Sequence, residues 1–212
     1  MGNGWLVSVV GVWKRYGEEW VLRGVDLDVS SGESVLIIGS NGSGKTTLLK
    51  IIVGLVEPSK GKVEYGCVVN RKLCIGYVGH LPLLYNDLTV EENLAYYASL
   101  YGYSDYKVEE NPAWRPLELW RVKGKPVSQL SFGWRKRVDI ARALIHKPQV
   151  VILDEPFTGL DSKAAGQLAS LLKTLSGRGV SLIMTSPRLE GEYEDVSAKV
   201  YMLVNGVLED AL

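Results

Sequence analysis

Short apolar, β-branched runs alternate with stretches in which apolar residues recur at helical spacing, and that alternation predicts an α/β fold. Trp5 to Val12 and Trp20 to Val29 read as strands, the second placing Val21, Val25, Leu27 and Val29 on one face at period two. Val35-Leu36-Ile37-Ile38 is an unbroken apolar run of the kind buried on both faces, and Val150-Val151-Ile152-Leu153 is a second. Thr47 to Val53 has helical spacing and stops at Gly54, where a residue just past a helix end belongs. A helix is predicted from Thr89 to Tyr101, with Thr89 and Glu92 spaced as a capping box. Another runs from about Phe132 to His146, where Val138, Ile140, Ala141, Leu144 and Ile145 recur and Pro148 follows. A helix from Ser162 to about Ser176, a strand from Val180 to Thr185, and strands near Lys199 to Val204 and Val207 to Glu209 complete the pattern. Ser104 to Lys125, with Pro112, Pro116 and the nearby Pro126, predicts short helices and loops. The segment from about 81 to 135 therefore reads as a mostly helical insert in a strand-rich core.

Composition narrows the picture. With 46% hydrophobic and 23% charged residues, the 212-residue chain is globular rather than disordered. Its 24 basic and 24 acidic residues cancel, which argues against a general binder of nucleic acid or anionic membrane. No unbroken apolar run is longer than the five residues of Leu94 to Ala98, far short of the roughly 20 a membrane helix needs. Met1 to Asn3 lack a cationic stretch, and Ser8 and Gly11 interrupt the apolar stretch from Trp5 to Trp13. No secretory signal is therefore expected, and the cytosol is the expected compartment. Cys67 and Cys74 are too few for a disulfide framework; they read as buried thiols rather than, with His80, a metal cluster.

Candidate chemistry is concentrated in two places. Gly39-Ser40-Asn41-Gly42-Ser43-Gly44-Lys45-Thr46 matches the P-loop pattern and stands between a buried strand and a helix. Glycines there allow successive backbone N–H groups to converge on phosphate, Lys45 can reach the β- and γ-phosphates, and the Thr46 hydroxyl suits Mg²⁺. Thr47 continues the helix start. Asp154 and Glu155 directly follow the second buried strand, so Asp154 is expected to hold Mg²⁺ through its water shell and Glu155 to accept a proton from attacking water.

Between these two motifs lies Leu130-Ser131-Phe132-Gly133, shortly before Asp154. In this order the motifs resemble the ATP-binding-cassette family, whose Leu-Ser-x-Gly signature opens a helix ahead of the second acidic motif. The resemblance covers nearly the whole chain and includes Thr158-Gly159-Leu160-Asp161, similar to that family's dimer-contact loop. It implies a P-loop NTPase core of the RecA-like type with an antiparallel strand layer. The helical subdomain would be inserted at about 81–135, with the core at about 1–80 and 136–212 of a single domain.

Functionally, the resemblance implies a head-to-tail dimer in which each ATP lies between one subunit's P-loop and the other's Ser131, Phe132 and Gly133. The partner cassette could be a second copy or a different ATPase. Tyr16 matches the aromatic residue that stacks on adenine, and Asp161 falls in the dimer-contact loop. Tyr77-Val78-Gly79-His80 followed by Leu88-Thr89-Val90-Glu91-Glu92-Asn93-Leu94 looks like exporter subunits, most similar to the haem-exporter type of cytochrome c maturation. His80 stands where most cassettes carry glutamine and would bond a metal-bound water and sense the γ-phosphate.

The same resemblance implies a separate integral membrane transporter subunit and a location on the inner face of the cell membrane. Tyr96, Tyr97, Tyr101, Trp114 and Trp120 fall in the region that receives the membrane partner. Two departures stand out. Ser186 occupies the place of the γ-phosphate histidine, and Trp134 replaces the usual glutamine of the signature. A degenerate, regulatory cassette and a cassette acting outside transport are the alternatives these departures leave open.

Overall fold

The computed structural model describes residues 5–67, 70–189, 191–194, 196–197 and 199–211; Met1 to Asn3, on which the leader reading rests, lie outside them. Strand β1 (Trp5–Tyr16) turns at Gly17, whose φ of 57° suits a residue without a Cβ, and returns as β2 (Glu19–Ser30). Both strands run beyond their apolar cores, because backbone pairing continues to Tyr16 opposite Glu19. The next strand, β3 (Ser34–Ile38), leads through the glycine loop into helix α1 (Lys45–Ile52), which ends at Val53 with Gly54 at φ 74°. A strand not predicted from the pattern, β4 (Lys60–Tyr65), adds to β1, giving an antiparallel sheet of order β2-β1-β4.

After the short helix α2 (Arg71–Cys74) comes a second unpredicted strand, β5 (Ile75–Val78). The chain then enters α3 (Val90–Leu100), where the Thr89 hydroxyl accepts the Glu92 N–H at 3.2 Å and the Glu92 carboxylate accepts the Thr89 N–H at 2.8 Å. Short 3₁₀ turns at Val108–Glu110, Leu119–Arg121 and Val127–Gln129 follow, and the described residues between β5 and the next helix form no strand. That helix, α4 (Phe132–Leu144), precedes β6 (Val150–Leu153), α5 (Ser162–Ser176), β7 (Ser181–Ser186), β8 (Lys199–Val204) and β9 (Val207–Asp210). Helix α4 stops short of His146, since Lys147 takes a left-handed φ of 53°.

The second sheet has the order β5-β6-β7-β3-β8-β9, parallel throughout except for the β8–β9 pair. Its strands alternate between two cores. Val35, Ile37, Val150, Ile152 and Ile183 pack with Leu48, Leu49, Ile51 and Ile52 of α1 and with the antiparallel sheet. Leu36, Val151, Leu153, Leu182 and Met184 point the other way and pack with α4 and α5. Burial on both faces explains the unbroken apolar runs. Each fully buried leucine contributes about 1.5–3 kcal/mol, so Leu48→Ala would cost roughly 2–5 kcal/mol. Gly76 permits the close fit of α4 on β5, because a Cβ there would come 2.4 Å from Ala143 O. Among the described residues, no helix is long and apolar enough to cross a membrane.

The two cysteines depart from the expectation. Cys67, just after β4, and Cys74, at the end of α2, form a disulfide with Cα atoms 6.1 Å apart. They are therefore neither free thiols nor ligands that His80 could join. The ends of β4 and α2 lie close enough to bring the cysteines together, a proximity that spacing alone does not reveal.

Candidate functional site

Gly39 to Gly44 bridge β3 and α1, and packing dictates where glycine is needed. Gly44 has φ 109°, and a Cβ on it would lie 2.9 Å from Leu22 Cδ2. At Gly39 a Cβ would meet Leu203 O at 2.6 Å. The loop is thus pressed between β2 and β8. Ser43 Oγ is buried inside it without a partner, and an anion oxygen is the group that would satisfy it beside a helix N-terminus. Lys45, 5% exposed, folds its ammonium back over the loop, donating to Gly39 O at 2.6 Å and Ser40 O at 3.1 Å. Ser40, Asn41 and Gly42 form the exposed rim, and Thr47 is half-buried on α1.

The parallel pairing of β6 with β5 and β7 delivers Asp154 and Glu155 to the same end of the sheet. Thr46 Oγ1 donates to Asp154 Oδ2 at 2.7 Å, while the Glu155 carboxylate lies 3.9 Å from the Lys45 ammonium. A hydroxyl beside a carboxylate is an all-oxygen pair suited to a hard divalent cation, so Thr46 and Asp154 fit Mg²⁺. Thr185, a residue the sequence reading passed over, completes the cluster. Its hydroxyl donates to Asp154 Oδ1 at 2.7 Å and accepts the Glu155 N–H at 3.0 Å. A polar Thr185-Ser186 pair at the end of an apolar strand is the available signal. Glu155 itself has φ 47°, a backbone state that such anchors must hold.

A second omission is Lys136 on α4, 1% exposed, whose ammonium donates to Asp154 O at 3.1 Å and to Gly79 O at 3.4 Å. Burial holds its pKa below the usual lysine range, opposed by the carboxylates of Asp139, Asp154 and Glu155. Burial likewise pushes the Tyr77 hydroxyl up to about 12, with the Asp154 and Asp139 charges adding to the effect.

The other expected residues are dispersed. A cavity of about 1040 Å³ runs along Gly39 to Ser43 and is walled by Trp20, Val21, Arg188 and Asn205. Tyr16 is not among the described residues lining it; it stands 50% exposed at the end of β1, with Lys14 Nζ 5.0 Å from its ring. His80 is exposed just beyond β5. Ser131 is the exposed cap residue of α4, yet its side chain makes no capping bond, leaving the hydroxyl and the helix's first N–H groups unclaimed within the helix. With Phe132, Gly133, Trp134 and Gly159 it lines a separate cleft of about 330 Å³.

Two of the expected residues make local hydrogen bonds. The Asp161 carboxylate accepts the Ala164 N–H at 2.8 Å and so caps α5. Ser186 is 2% exposed, and its hydroxyl donates to Arg188 O at 2.6 Å, closing its own turn rather than facing outward as a free donor. Trp134 packs half-buried against the α4 side of the core, with the Arg137 guanidinium 4.5 Å from its ring. Among the aromatics between β5 and α4, Trp114 is core at 4% exposure, whereas Tyr96 and Trp120 are exposed.

Comparison with known proteins agrees with this geometry. A family profile described as ABC transporter matches residues 22–158. The chain is 30% identical, over 96% of its length and 68% of the relative's, to an uncharacterized ABC transporter ATP-binding protein of Bacillus subtilis. It is 32% identical to the Nod factor export ATP-binding protein I of Ralstonia nicotianae, covering 97% of this chain and 66% of that one. A spermidine/putrescine import ATP-binding protein of Spiroplasma citri is 33% identical, and there the chain spans 60% of the relative. Among solved structures, an ATP binding subunit of an ABC transporter superposes with TM-score 0.86 at 29% identity, covering 97% of this chain and 90% of that one. A dimeric bacterial ABC transporter cassette gives TM-score 0.85 at 28% identity, with 98% and 99% coverage. Sequence, fold and site geometry thus converge: the chain belongs to the ABC transporter family, as an ATP-binding subunit.

Proposed function

We propose that the chain binds and hydrolyses Mg-ATP as one half of a cassette dimer that drives a separate transmembrane subunit. The observation that carries this reading is the meeting of Lys45, Thr46, Asp154 and Glu155 at one end of the parallel sheet, beside a glycine loop with an orphaned Ser43 hydroxyl. Backbone N–H groups of Gly39 to Thr46 and the Lys45 ammonium would hold the phosphates. Thr46 and Asp154 would hold Mg²⁺, which when bound offsets the negative charge of the phosphate oxygens. Glu155 accepts a proton as the attacking water's oxygen bonds to the γ-phosphorus and the bond to the ADP oxygen breaks.

Ser131, Phe132 and Gly133 supply a hydroxyl and free N–H groups at a helix start, a second anion site open to a facing subunit. ATP held between the two halves favours closure because it touches both, and hydrolysis removes that preference. Tyr16 and His80 act from the rim, on base and γ-phosphate respectively, once the partner is seated, and Asp161 contributes to the dimer-contact loop it begins from. In this reading the helical subdomain spans about 81–135, and the chain sits at the inner membrane face.

The membrane partner docks on the exposed apolar side chains Leu81, Leu83, Tyr85, Tyr96 and Leu100. Export is the direction we favour, in line with the Nod factor export relative, while the haem-exporter resemblance rests on Gly79-His80 alone. The test combines two measurements on the full chain. Steady-state ATP hydrolysis must be lost in Lys45→Met, and a photo-cross-linker at position 85 or 96 must capture a polytopic membrane protein in native membranes. Hydrolysis without such a product would refute the transport assignment, and an inactive wild type would favour a regulatory cassette.

A further inference from the structure

One face of α4 carries Lys136, Asp139 and Arg142 at one-turn spacing, all buried, and each reaches the segment that bears His80. Arg142 donates to Tyr77 O and, through Nε, to Asp139 Oδ1 at 2.7 Å. Asp139 Oδ1 also accepts the Leu83 N–H at 3.1 Å. Lys136 meets the same segment at Gly79 O and, unlike the other two, also reaches across to Asp154 O. These two carbonyls belong to the Gly79–His80 and Asp154–Glu155 peptides, the ones that immediately precede His80 and Glu155.

The Asp154–Glu155 peptide is therefore held at both ends. Lys136 grips its carbonyl oxygen, and the Thr185 hydroxyl grips its N–H at 3.0 Å. Pinning both ends fixes the peptide plane from which Glu155, at a left-handed φ of 47°, projects its side chain. Burying a lysine so completely is costly unless its donors are used, and here two of its three are spent on these carbonyls.

We propose that Lys136 is a positioning residue for ATP hydrolysis, orienting Glu155 and tying it to the His80 segment and to the helix that starts at Ser131. The inference rests on the hydrolytic reading above. Since Lys136 touches neither phosphate nor water in this role, its loss should act on turnover rather than on nucleotide binding.

The test measures kcat and KM for Mg-ATP on the full chain, with Lys136→Met, similar in size but without donors, and Lys136→Arg, which keeps cationic donors. The expected result is a 10- to 100-fold fall in kcat for Lys136→Met with KM within threefold of wild type, and Lys136→Arg within about fivefold of wild-type kcat. Unchanged kcat in Lys136→Met, or kcat and KM failing together with Lys136→Arg no better than Lys136→Met, would overturn the proposal. If Lys136→Met does not fold, Lys136→Leu, also without donors, is measured in its place and judged by the same outcomes. A wild-type chain that binds ATP without turning it over defeats the hydrolytic reading and this inference with it. A turning-over wild type with an unaffected lysine variant defeats the inference alone.

Discussion

Thr185→Val removes one hydroxyl and little volume, and it tests whether the acidic pair depends on the strand beside it. The hydroxyl, fully buried, donates to the carboxylate of Asp154 at 2.7 Å and accepts the Glu155 N–H at 3.0 Å. A hydrogen bond to a charged group contributes about 1.5–3 kcal/mol, and an unpaired buried N–H costs about 1 kcal/mol more. Asp154 keeps its Thr46 bond, so the loss falls at about 2–4 kcal/mol. At roughly 2–4 °C per kcal/mol for a chain of this size, the melting temperature should drop by about 4–16 °C. Glu155, released at its N–H, should also lose turnover. Thermal unfolding by circular dichroism and steady-state ATP hydrolysis read the two effects, with Thr185→Ser as the control that keeps both bonds. A valine variant that melts within 2 °C of wild type and hydrolyses ATP at the wild-type rate would refute the reasoning.

Three further outcomes follow from other parts of the structure. Ser186→Ala should leave kcat within about threefold and lower stability by about 1 kcal/mol, because the hydroxyl serves its own turn; a tenfold fall in kcat would instead place that hydroxyl on the γ-phosphate. His146 is kept neutral by burial, its pKa held below the usual 6.5, with Nε2 against Ile75 O and its ring stacked on Tyr101. The unfolded chain therefore binds the extra proton first, and stability should fall as pH drops below about 6.5, less so in His146→Gln; parallel urea-midpoint profiles for the two chains would contradict this. Reduction of the Cys67–Cys74 disulfide should cost up to about 2.5 kcal/mol on loop-entropy grounds, and an unchanged melting temperature in dithiothreitol, with thiols confirmed by labelling, would show that it stabilises nothing.

What the sequence revealed followed the range of the signals. Gly39 to Thr46 could be read because loop, preceding strand and following helix are contiguous, so every constraint lies within one short window. The same holds for α5, β6 and the Thr89–Glu92 box, whose ends and faces are set locally. β4 was missed because it is an edge strand rich in lysine and glycine, and β5 because four residues including Gly76 carry no period. Their pairing partners lie far along the chain.

The same limit governs the site. Asp154 and Glu155 announce themselves after an apolar run, but Thr185 acts on them from a sequence separation of 31 and Lys136 from 18, distances that only the sheet topology closes. The direction of the Ser186 hydroxyl is set by the turn to Arg188, which its position in the chain does not encode.

The central claim is that ATP acts as the joint between two cassettes and that Glu155 ends the joined state. Size-exclusion chromatography with light scattering on Glu155→Gln, with and without Mg-ATP, tests it directly. The account requires a monomer without nucleotide and a stable dimer with Mg-ATP, whereas a chain that stays monomeric while saturated with ATP would contradict it.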